Sequence, residues 1–178
     1  MVRILTRNRI VGIAIALVIF AVDQVIKNLV DGPLGLKQEG DKLDLLPFFD
    51  FTRVHNYGVS LGMFEATSPE TRWLLIAVTG LIALVVTVWM LREKAMGDIF
   101  GLALILGGAL GNIVDRYQYG YVLDYADLHI GEFRPFLIFN VADAAITIGV
   151  LIILARSFLT RDKAGEKAET ADLSAAES

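Results

Sequence analysis

Hydrophobic positions along the chain fall into four blocks separated by polar stretches, at roughly 10–30, 72–91, 99–114 and 136–154. Within each block the apolar residues run almost without interruption. They do not alternate as a half-buried strand does, and they show no polar stripe of the kind a surface helix carries. A helix needs about 20 apolar residues to cross a bilayer, and about 17 is tolerated. The four blocks therefore predict four transmembrane helices, the third a little short and extended by a turn on either side. Four glycines in that third block (Gly101, Gly107, Gly108, Gly111) suit close helix packing in lipid. The chain begins with basic residues and an apolar run, as a signal peptide does. No A-x-A-like cleavage site follows, and the run continues through Asp23 and Lys27 to Val30, so it is read as a retained span.

Lys and Arg in short flanks set direction. Arg3, Arg7 and Arg9 precede the first span, Arg92 and Lys94 lie between the second and third, and Arg156, Arg161, Lys163 and Lys167 follow the fourth. With four spans these three groups share one side, which predicts cytoplasmic termini. The connections 31–71 and 115–135 then face outward. Residues 31–71 contain aromatic and β-branched residues between turn signals, which predicts a small β platform or amphipathic layer on the outer surface. The last stretch, 161–178, is rich in Ala, Glu, Lys and Ser and is expected to be disordered in the cytoplasm. Residues 1–160 are expected to form a single four-span domain.

Composition agrees with the pattern and removes several chemistries. The 178 residues are 55% hydrophobic, above the usual share for a soluble domain. With no cysteine, thiol nucleophiles, disulfides and thiolate metal sites are excluded. A net charge of −4 without a large basic patch offers nothing to nucleic acid.

Ionisable groups inside a span are costly, so each is a functional candidate. Asp23 and Lys27 fall in the outer half of the first span, Asn112, Asp115 and Arg116 at the outer end of the third, and Asn140 and Asp143 near the outer start of the fourth. Asp143 is expected about two turns, or roughly 10 Å, into its span. Asp124 lies in the connection between spans three and four. Polar residues from three spans thus share one level of the membrane. Asp23 and Lys27, spaced i,i+4, can also simply neutralise each other, and Asn112 and Asn140 can serve as interhelical hydrogen-bond partners.

Two carboxylates close together in a partly dry site share a proton, so one acts as base and the other as acid. Asp124 and Asp143 would meet if the 116–135 connection folds back over the bundle, with Asp23, Asp115 and Asp127 as competitors. Gly58-Val59-Ser60-Leu61-Gly62 fits G-x-S-x-G, but that pattern needs a strand–turn–helix context and a base. A Ser60–Lys27 dyad and a metal site from Asp124, Asp127 and His129 are weaker alternatives. A small ion- or proton-coupled transporter would need its polar path to continue to the inner side, which it does not. A non-enzymatic assembly factor would explain the glycines but not Asp143.

Four blocks resemble a known family: Asp23-Gln24-Val25-Ile26-Lys27, Asn56-Tyr57-Gly58-Val59-Ser60-Leu61-Gly62, GGALGNIVDRYQYGYVLDY at 107–125 and FNVADAAITIG at 139–149. In this order and spacing they resemble the bacterial lipoprotein signal peptidases (signal peptidase II, prolipoprotein signal peptidase), over nearly all of residues 10–156. The resemblance implies an aspartic endopeptidase of the bacterial inner membrane, with its active site on the extracytoplasmic side. It would remove signal peptides from diacylglyceryl-modified prolipoproteins by cutting before the lipidated cysteine. The catalytic pair falls on Asp124 and Asp143. Asn112, Asp115, Arg116 and Asn140 match positions that support the site, Asn56 a substrate-facing position, and Asp23 and Lys27 a more structural polar pair. No metal or organic cofactor is implied; the expected partners are the lipid-modified precursor and membrane lipid, and the chain is expected to work as a monomer. Val59-Ser60 stands where two alanines are more common, which speaks against a Ser60 nucleophile, and Tyr125 stands where Phe is common.

Overall fold

The structure, a computed structural model, describes residues 6–58 and 68–176. It is built from α1 (Arg7–Asp31), β1 (Lys42–Leu46), β2 (Phe49–Asn56), α2 (Pro69–Arg92), α3 (Met96–Gln118), β3 (Val122–Leu128) and α4 (Val141–Ala176). Arg7–Asp31, Pro69–Arg92, Met96–Gln118 and Val141–Leu159 are long and apolar enough to cross a membrane. The chain is therefore a mostly helical, multi-pass membrane protein with a small sheet. The third span gains the extra turns that lipid thickness requires. The fourth starts five residues later than expected, at Val141 rather than 136, because Phe139 is held in extended pairing with Ala126. Beyond the membrane α4 continues as backbone helix to Ala176, where a disordered tail was expected. Ala, Glu, Lys and Leu are strong helix formers, so a span already nucleated can propagate through them.

α3 is the central helix. Its span is 56% buried within the protein, against 17–22% for the other three, whose apolar faces turn outward toward lipid. Lipid offers no hydrophobic gain for helix association, so close contact has to come from small residues and polar bonds. A Cβ on Gly108 would strike the Ala142 carbonyl of α4, and one on Gly111 would strike the Asp23 carboxylate of α1. The glycines thus let both neighbours approach α3, and Gly111 makes the space in which Asp23 is buried. Ala16, Met90, Ile99 and Leu102 fill the bundle core on the side away from the sheet.

At that end basic and amide side chains tie helices together. Arg9 Nε donates to the Glu93 carbonyl (3.3 Å), Asn8 Nδ2 to the Lys94 carbonyl (3.2 Å), and Arg156 pairs with Asp98 (2.7 Å). The basic flanks that set the expected orientation thus gather at one end of the bundle.

The sheet sits at the other end, antiparallel, in the order β1-β2-β3. β1 and β2 come from the 31–71 segment, as expected. β3 comes from the connection between α3 and α4, expected to be a loop. Gly120, at φ 87°, turns the chain out of α3 and into this strand. β3 is buried on both faces, so Val122–Leu128 lacks the alternation that marks a half-exposed strand. Its Leu123, Tyr125 and Ala126 pack with Val30 at the end of α1 and Leu36, which seats the sheet on the bundle.

Candidate active site

β3 fixes the site. In its pairing with β2, Val54 lies opposite Asp124 and Asn56 opposite Val122. On its other side the Ala126 N–H donates to the Phe139 carbonyl (2.7 Å), and the Ala126 carbonyl accepts from the Phe139 N–H (3.2 Å). This short ladder holds the residues preceding α4 alongside β3, and so brings Asn140 and the first turn of α4 to Asp124. Asn140 is the N-cap: its Oδ1 accepts from the Asp143 N–H (2.9 Å), and its carbonyl from the Ala144 N–H (3.2 Å). Its Nδ2 donates to Asp124 Oδ1 (2.6 Å). One side chain therefore engages both the Asp124 carboxylate and the backbone of Asp143. Asp143 sits in the first turn of α4, not two turns deep. The negative end of the side chain is there stabilised by the helix N-terminus.

The remaining bonds hold the carboxylates in place. Asn112 Nδ2 of α3 donates to Asp143 Oδ1 (2.8 Å), and Asn56 Nδ2 of β2 donates to Asp124 Oδ2 (3.0 Å). Asn56 also accepts from the Gly58 N–H (3.1 Å), while Arg116 Nη2 donates to the Gly58 carbonyl (2.7 Å). Both residues so grip the start of the segment leading to α2, and the Arg116 charge acts on Asp124 and Asp143. Ser60 lies outside the described residues.

Behind this layer sits a buried ionic cluster. Lys27 Nζ lies 2.8 Å from Asp23 Oδ2 and 2.7 Å from Asp115 Oδ2, all three side chains almost fully buried. Lys27 also reaches Asn112 Oδ1 (3.4 Å). Asp23 Oδ1 accepts from the Ala142 N–H (3.1 Å), and Asp115 Oδ2 from the Leu123 N–H (3.1 Å). The cluster therefore pins the start of α4 and the start of β3, the two segments that carry the aspartates. Gln24 joins it, donating to Asp115 Oδ1 (3.0 Å) and Asp23 Oδ2 (3.2 Å). The Tyr125 hydroxyl, absent where Phe stands, accepts from the Val141 N–H (3.3 Å). Sequence reasoning missed both roles. Gln24 was detectable as a polar residue inside an apolar span; nothing in the sequence placed Tyr125 against Val141.

Other candidates are engaged elsewhere. Asp127 is clasped by Arg134 (3.0 Å) and Thr52 (3.2 Å), and His129 contacts Asp50 (2.6 Å). His55 stacks on Tyr121 at 4.0 Å and faces Arg53. Burial and the neighbouring Arg53 charge keep His55 below its ordinary pKa.

Asp124 and Asp143 line one cavity of about 920 Å³. It is bounded by the end of β2, by the apolar run Phe136–Phe139 and by one face of α4. Burial, and then the charge of Asp143, push the Asp124 carboxyl up to about 7. At neutral pH it can thus hold a proton beside a second carboxylate, which is what acid–base cleavage by a shared-proton pair needs.

The chain is similar to known proteins over most of its length. The family described as signal peptidase (SPase) II matches residues 15–159. A lipoprotein signal peptidase of Sphingopyxis alaskensis is 57% identical over 155 residues, covering 87% of this chain and 89% of that protein. One of Rhizorhabdus wittichii is 50% identical over 155 residues, covering 87% and 90%. A solved bacterial membrane enzyme superposes with a TM-score of 0.73 at 27% identity, covering 87% of this chain and 90% of its own.

Proposed function

The chain belongs to the signal peptidase II family, and from that membership we propose that it cuts signal peptides from lipid-modified prolipoproteins with Asp124 and Asp143. It is a membrane peptidase; what carries the assignment of the pair is that Asn140 joins the two aspartates at the edge of one cavity. The basic residues at the opposite end support a cytoplasmic reading of that end, with the site on the outer side. The residues named for the proposed site all lie within 1–160, which supports reading that region as one domain that works as a monomer.

The reaction follows from the protonation states. Burial favours the protonated form of Asp124, so Asp124 enters as the acid and Asp143 takes the part of the base. Asp143 removes a proton from water as the oxygen attacks the scissile carbonyl carbon, and Asp124 gives its proton to the carbonyl oxygen. The resulting gem-diol collapses: Asp124 takes back a hydroxyl proton, the C–N bond breaks, and Asp143 protonates the departing amine. The amine is that of the lipidated cysteine. The diacylglyceryl chains lie in lipid against the Phe136–Phe139 wall, and their binding holds the amide in register. Purified protein given lipidated and unlipidated precursor should release signal peptide from the lipidated form only. Equal cleavage of both would remove lipid recognition from the reading, and cleavage of neither would remove the peptidase.

A signed pH dependence follows. Activity should persist below pH 7 on the alkaline side of the profile and fall as pH rises through about 7, when Asp124 loses its proton. The bond from Asn56 favours the ionised carboxylate, so Asn56→Ala should move this limb to higher pH. A kcat/KM profile of both proteins tests it; an unmoved limb, or a shift to lower pH, contradicts the assignment of the proton to Asp124.

A further inference from the structure

Threonine hydroxyls in membrane helices ordinarily bond back to the carbonyl one turn earlier, because lipid offers no other partner. Two threonines of α2 do so: Thr79 donates to the Leu75 carbonyl and Thr87 to the Ala83 carbonyl, each at 2.7 Å. Thr147 of α4 does not. Its hydroxyl has no hydrogen bond among the described residues, and its side chain is exposed to the cavity that holds Asp124 and Asp143. It stands four residues after Asp143, hence on the same face and about 6 Å further into the membrane. Along α4 beyond Asp143 the cavity wall is formed by Ala144, Thr147 and Ile148, so Thr147 is the sole polar group there.

A peptide has to be extended to be cut, so the residues before the scissile bond leave their helix while still at membrane depth. Their carbonyls then lose their helical partners where no water can replace them. At about 3.3 Å per extended residue, a span of 6 Å corresponds to about two residues. We propose that Thr147 is a substrate-positioning residue whose hydroxyl donates to a backbone carbonyl two or three residues on the signal-peptide side of the scissile bond. The proposal rests on Asp124 and Asp143 being the cleaving pair, with the signal peptide entering from the membrane side. A main-chain contact of this kind serves many precursors, because it reads no side chain.

The test uses the full-length enzyme in lipid with a synthetic lipidated precursor. Thr147→Val keeps the shape and removes the donor; it should raise KM about fivefold and leave kcat within twofold, as loss of one uniform binding contact does. Thr147→Ser keeps the donor and should stay within twofold of the parent in both constants. Equal KM values for Thr147→Val and the parent, or equal impairment of both variants, overturns the proposal. A second arm reads the same contact from the substrate side. An ester in place of the amide at the predicted carbonyl weakens its acceptor, so the parent enzyme should bind that precursor about fivefold less tightly, and Thr147→Val should show no such loss. An ester effect absent from the parent, or of equal size in both proteins, also overturns it. Failure of the parent enzyme to cut any lipidated precursor would instead overturn the proposed function.

Discussion

Replacing Asp143 by Asn should lower cleavage by at least about 10³-fold, and replacing Asp124 by Asn should do the same. The reasons differ. Asp143→Asn loses the base that takes the proton from water. Asp124→Asn loses the proton that the carbonyl oxygen receives. Since neither half-reaction proceeds alone, the double variant should be no slower than either single one. Folding should survive. Asp143→Asn retains an oxygen for Asn112 Nδ2. Asp124→Asn leaves an oxygen for one of its two donors, Asn56 or Asn140, at a cost of about 1 kcal/mol. Steady-state rates with a lipidated precursor, beside thermal unfolding in detergent, check both statements. Either variant retaining a tenth of parental activity would remove its aspartate from the reaction.

Most of the architecture was legible because lipid imposes simple demands. Four apolar blocks had to be helices, and Asp23, Lys27, Asp115 and Asp143 had to be satisfied by one another or by backbone. Their level in the membrane followed from counting along each helix. The partners did not. That Lys27 lies between Asp23 and Asp115, and not only beside its i,i+4 neighbour, depends on how closely α1 approaches α3, which Gly111 sets through space. β3 was illegible for a different reason. A strand covered on both faces loses its alternation, and VLDYADL read as a loop. The same omission misplaced Asp143: without the Ala126–Phe139 pairing, apolar residues 136–139 look like the first turn of a helix. The sequence-level resemblance named Asp124 and Asp143; the ladder explains why they can meet.

Lys27→Met should be the most damaging change that leaves the reacting groups untouched. Replacing a buried cation while keeping its anions costs more than a pair is worth, because the carboxylates remain desolvated. Here two are stranded, Asp23 and Asp115, each almost fully buried. The expected loss is about 3–5 kcal/mol, or a fall of roughly 10 °C in the unfolding midpoint for a chain of this size. Asp23→Asn added to Lys27→Met removes one stranded charge and should recover part of that fall. Catalysis should suffer less than stability. Lys27 holds Asn112 Oδ1 on its side, which turns Asn112 Nδ2 toward Asp143. Without it Asn112 Oδ1 keeps only the 3.4 Å bond from Asn140 Nδ2 and the amide is held less firmly against Asp143, so activity measured well below the midpoint should drop about tenfold, not 10³-fold. Thermal unfolding and low-temperature rates separate the two roles. An unchanged midpoint would mean that the cluster does not brace α4 and β3. A loss of activity as complete as that of Asp143→Asn would move Lys27 from support of the site into its chemistry.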